Sequence, residues 1–79
     1  MRELQVSDED FDMLGAGREV SGIWGRACFD ATAGEVVKVT RPRIHFTPEP
    51  TIIANPESMT ARIVGVDAHP KGVLLKLRA

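Results

Sequence analysis

The sequence predicts an all-β fold, a small antiparallel β-barrel or sandwich carrying a short N-terminal helix and a long proline-rich loop. Three observations predict it. From Glu19 onward, short apolar runs rich in Val, Ile and Phe are broken by Gly, Pro, Asn and Asp. No helical pattern is long enough to serve as a βαβ crossover. Seventy-nine residues make one domain, residues 1–79, and a chain of this size buries only about 60% of its unfolded surface, so its core is thin. Within that domain, residues 1–17 read as an acidic helical segment and residues 47–58 as an extended loop.

Taken in order, the elements rest on local chemistry. Ser7 can cap a helix whose first turn holds Asp8, Glu9 and Asp10, carboxylates that suit its positive end. Phe11 and Leu14 then share a face, and Gly15 and Gly17 end the pattern after about two turns. Strands are expected at Glu19–Trp24, Ala27–Phe29, Glu35–Thr40 and Ile44–Phe46, with a turn over Asp30–Gly34. Thr60–Val66 and Val73–Leu77 form the clearest hairpin: Val73, Leu75 and Leu77 alternate with more polar positions, and Asp67–Gly72 supplies the turn. Between these groups, Pro48, Pro50 and Pro56 remove backbone donors and hold the 47–58 loop extended. Ile52 and Ile53 at its centre read either as a docking element or as a plug for one end of the barrel.

The residues that could carry chemistry do not assemble into a motif. Asp8, Asp10, Asp12 and Glu19 have the spacing of a calcium loop, but Met13 stands where that loop requires glycine, so an acidic helix start is expected instead. Cys28, His45 and His69 lack the close pairing of zinc ligands, and no glycine-rich elbow surrounds Cys28. No cofactor, metal or catalytic residue is therefore expected, and the chain does not read as an enzyme. A lone cysteine excludes an intrachain disulfide and fits a reducing compartment. No apolar run approaches the roughly 20 residues that cross a bilayer, so no membrane partner is expected.

Charge is unevenly placed. Residues 1–35 hold three basic and eight acidic side chains, −5, and residues 36–79 hold seven basic and three acidic, +4, giving the net −1. A dipolar subunit of this kind can register an acidic surface against a basic one on a neighbour. On this reading Asp8 and Asp10, Arg41 and Arg43, and the loop residues Ile52 and Ile53 are the expected protein-interaction residues. Lys38, Arg41, Arg43 and His45 could also make a basic stripe, which gives the alternative of a small β-barrel that binds nucleic acid. With only Phe11, Trp24, Phe29 and Phe46 as aromatics and no basic excess, that alternative is disfavoured.

The order of features also resembles the head–tail joining proteins of lambda-type tailed bacteriophages. Val20-Ser21-Gly22-Ile23-Trp24 is similar to that family's first strand, and Val37-Lys38-Val39-Thr40-Arg41-Pro42-Arg43-Ile44-His45-Phe46 to its strand, proline and strand passage. Ala61-Arg62-Ile63-Val64-Gly65-Val66-Asp67-Ala68-His69-Pro70-Lys71-Gly72-Val73-Leu74-Leu75-Lys76-Leu77 resembles its final hairpin. The resemblance implies a β-barrel subunit of the virion, assembled in the host cytoplasm. It would form a ring with copies of itself and bind head-completion or portal proteins on one side and tail proteins on the other.

Overall fold

A computed structural model describes residues 1–41 and 57–79, together with the strand backbones of 44–45 and 51–52. The chain is mostly β, a curled five-stranded half-barrel sheet with one short helix. The elements are β1 (Arg2–Gln5), α1 (Asp8–Gly15), β2 (Val20–Trp24), a 3-10 turn (Arg26–Cys28), β3 (Val36–Arg41), β4 (Ile44–His45), β5 (Thr51–Ile52), β6 (Glu57–His69) and β7 (Gly72–Arg78). The main sheet has the order β1-β3-β6-β7-β2, and β4 pairs with β5 separately. Among the described residues, no helix is long and apolar enough to cross a membrane.

One face of the sheet is apolar because period-two alternation places every second side chain there. The cross-strand registers stack Leu4, Val39 and Met59 in one row, and Ile63, Leu77 and Val20 in another. Val37, Val39, Ile63, Leu75 and Leu77 are fully buried on this concave face. Each stabilises the fold by about 1.5–3 kcal/mol relative to exposure.

The helix covers the same face. Its start is fixed by Ser7, whose Oγ accepts from the Asp10 amide at 3.2 Å. Its end is a Schellman closure at Gly17 (φ 78°): the Gly17 amide donates to the Leu14 carbonyl at 3.0 Å, and the Arg18 amide to the Met13 carbonyl at 2.9 Å. Leu14 is fully buried in the core, with Phe11 and Met13 packed beside it.

Two expectations are corrected, and two further differences stand beside them. The sheet is not antiparallel throughout, since β1 runs parallel to β3, with Leu4 opposite Val39. β1 itself was not expected, because three of its four residues, Arg2, Glu3 and Gln5, are polar and Leu4 is its whole apolar signal. Ala27–Phe29 is not a strand. Amides of Cys28 and Phe29 donate to the carbonyls of Gly25 and Arg26, winding a 3-10 turn that drops Cys28 into the core. The long loop over residues 47–58 is not shown: Glu57 and Ser58 open β6, and Thr51–Ile52 pair with Ile44–His45. The remaining loop residues, 47–50 and 53–56, lie outside the described residues, as does Phe46 of the expected fourth strand.

The final hairpin is as expected but longer. β6 runs on to His69, so only Pro70 and Lys71 separate the strands. Gly72 is required at the start of β7, because a Cβ there would collide with the Trp24 carbonyl oxygen where β7 pairs with β2. Gly72→Ala is expected to destabilise the fold by about 1–3 kcal/mol, measured by urea unfolding, as the β2–β7 end opens to relieve the clash. Gly15→Ala, where a Cβ meets nothing, serves as the control and should be neutral or slightly stabilising.

Candidate functional site

The charged residues sort into three groups, two that close on the chain itself and one that faces outward. The first centres on Arg2. Its Nε donates to Glu35 Oε2 at 2.8 Å, Nη2 to Asp30 Oδ1 at 2.8 Å and Nη1 to the Ala27 carbonyl at 2.7 Å. One guanidinium therefore ties β1 to the turn segment before β3. Hydrogen bonding from Arg2 holds both the Glu35 and the Asp30 carboxyls below their ordinary values, and the same bonds raise the Arg2 pKa.

The second group centres on Arg41 at the end of β3, on the face it shares with Val37 and Val39. Nε and Nη2 donate to Glu57 Oε2 at 3.0 and 2.7 Å, and Nη1 donates to Asp12 Oδ1 at 3.1 Å. Asp8 Oδ1 lies 3.7 Å from Nε. The guanidinium carbon also sits 4.9 Å from the centroid of the Phe11 ring, a cation–π contact. Arg41 and Asp8, both expected at partner surfaces, are thus brought together within one chain. Asp10 stands on the first turn of α1 and, among the described residues, has no side-chain partner. Arg43 and Ile53 lie outside the described residues. Ile52 is placed in β5 opposite Ile44 by its backbone alone.

The third group lies on the convex side of the sheet and was not singled out in the sequence. Register puts Val36 opposite Arg62, and Arg62 opposite Arg78. These residues, with Thr60, Val64 and Ala79, line an open pocket of about 350 Å³. Two arginines directly opposed across a strand pair repel one another unless an anion comes between them. Arg62 spends one donor on the Gly34 carbonyl at 2.9 Å, and Arg78 is exposed and, among the described residues, has no partner. Lys38 and Lys76 flank the pair on the same face. The signal that could have found this site is the spacing of Lys38, Arg62, Lys76 and Arg78 on outward strand positions, which needs the register before it can be read.

No cluster of metal-ligating side chains occurs among the described residues. Cys28 is buried in the core, and His69 uses Nδ1 to accept the Lys71 amide at 3.0 Å, closing the hairpin turn. What the convex pocket can do is hold a carboxylate or similar anion between two guanidinium forks, over the aliphatic surface of Val36 and Val64. No family model, curated protein or solved structure matches the chain.

Because Glu35 titrates below its ordinary value of 4.5, its contribution to stability is complete above that value and is lost as pH falls through the folded-state pKa. Glu35→Gln should therefore lower the thermal midpoint at neutral pH, and the gap to the wild type should close on acidification. A gap constant with pH would show that the ion pair is not its origin. Arg41→Ala is expected to cost about 1–2 kcal/mol in urea unfolding, from its packed stem and ring contact together with the partly screened ion pairs.

Proposed function

We propose that this chain is a structural subunit of a tailed-phage virion, a β-barrel-like module that forms a ring and joins head to tail through protein–protein contacts. Its partners on this reading are copies of itself, head-completion or portal proteins, and tail proteins. The observation that carries it is that, among the described residues, the sheet stops at five strands as a curled half-barrel, so that β2 ends the order with one edge unpaired by another strand. That edge lacks the usual protections: Val20–Trp24 contains no lysine, proline or bulge, and Ile23 is 49% exposed on it. Monomeric domains ordinarily blunt such edges, whereas subunits of assemblies present them to neighbours.

The sequence resemblance over Val20–Trp24, residues 37–46 and residues 61–77 supports the same reading, and the thin core of so short a chain suits a protein stabilised by neighbours. The reading also assigns docking to Ile52 and Ile53 on sequence grounds, as apolar residues in a proline-flanked segment.

The test is genetic and visual. Deleting the gene from the phage that encodes it should leave filled heads and free tails unjoined in electron micrographs of lysates, and supplying the chain from a plasmid should restore tailed particles. Normal yields of joined particles without it would overturn the reading.

A further inference from the structure

We propose that the convex Arg62–Arg78 pocket is the receiving half of a head-to-tail contact between copies of this chain, and that it takes the carboxylates of Glu9 and Asp10 at the α1 start of the next copy. The proposal rests on the assembly reading above and names the surfaces that such an assembly would use.

Geometry and charge carry it together. The pocket opens on the outward side of β3, β6 and β7, where Val36, Arg62 and Arg78 stand in one cross-strand row. The helix lies on the other side of the sheet, where Leu14 is fully buried with Val37 and Val39. An acidic helix start and a basic pocket on opposite faces of one sheet cannot meet within a chain. Between chains they can, and the contact is then heterologous, the kind that repeats around a closed ring.

The acids available for it are specific. Asp8 and Asp12 are already engaged by Arg41. Glu9 and Asp10 have no side-chain partner among the described residues; Glu9 is exposed and Asp10 half-buried. The receiving side has the matching surplus: Arg62 and Arg78 are juxtaposed, Lys38 and Lys76 stand nearby, and the acidic side chains on that face, among the described strand residues, are Glu3 opposite Lys38 and Asp67 further along β6. Carboxylates seated between the guanidinium groups relieve their repulsion, and the helix residues around them cover Val36 and Val64, the latter 43% exposed. Phosphates of a nucleic acid share part of this chemistry, but among the described residues no aromatic side chain lines the pocket to stack a base.

Charge exchange tests it in the purified chain by sedimentation velocity at low salt, with circular dichroism to confirm folding. Wild type should self-associate and dissociate as salt is raised. Arg78→Glu, and separately Glu9→Lys with Asp10→Lys, should each weaken association about tenfold or more, and mixing the two variants should restore it. Arg78 and Glu9 are exposed and free of side-chain partners among the described residues, so the variants should fold. Association that ignores both reversals overturns this contact while leaving the head–tail reading standing, as does a wild type that stays monomeric throughout. The head–tail reading itself falls only with the gene-deletion result. Binding of a single-stranded oligonucleotide that is lost in Arg78→Glu, with no self-association, overturns the choice of a second copy as occupant.

Discussion

A curled sheet that stops short of closing leaves an apolar concave face that something must cover, and here that cover is an eight-residue helix. The constraint begins with β1. Because it pairs in parallel with β3, the chain cannot return by a hairpin and must cross over. The crossing is made by α1, which starts beside one end strand of the sheet, β1, and leads into the other, β2. Leu14 is then fully buried in the core, and the helix touches both β3 and β2. The helix is too short to be stable alone, so its capping at Ser7 and Gly17 and its burial are what hold it there.

Two arginines clamp the chain at opposite ends of β3, and of the two Arg41 is the one that reaches the helix. Arg2 grips Glu35 and Asp30 just before the strand begins, and Arg41 grips Asp12, Asp8 and Glu57 at its end. Single surface ion pairs contribute little, but each of these guanidinium groups is less than one-fifth exposed and each makes several contacts at once. Part of the charge asymmetry between the two halves of the sequence is satisfied internally, and among the described residues the charges left without side-chain partners include Glu9 and Asp10 on the first turn of α1 and Arg78 on the convex face.

Much of the fold was legible because its signals are local. Ser7 with three following acids marks a helix start, and the alternation of Val73, Leu75 and Leu77 marks a half-buried strand, both of which stand in the structure as read. β1 was missed because four residues with a single apolar position carry too little periodicity, and its existence depends on β3 about 35 residues away. Ala-Cys-Phe reads as strand by composition, yet Gly25 and the need to bury Cys28 turn it into a 3-10 segment. The candidate site was harder still. Arg41 was expected to face outward, but residue type cannot say on which side of a sheet an arginine falls, and Arg62 and Arg78 become neighbours only once β6 and β7 are aligned.

That alignment depends on one irregularity. Along β6 the core positions run Met59, Ala61 and Ile63 at period two, and the next apolar residue packed on the core is Val66, three positions on. A regular strand would turn Gly65 inward and Val66 outward. The shift in register between Ile63 and Gly65 absorbs the extra residue, so Val66 returns to the concave face opposite Leu75, and Gly65 stands opposite Lys76. Val64 is the residue left over. It projects to the convex side beside Arg62 and forms an apolar wall of the pocket. The same bulge that keeps the core continuous along a 13-residue strand thus leaves Val64 without a cross-strand partner, beside the paired guanidinium groups of the outer face.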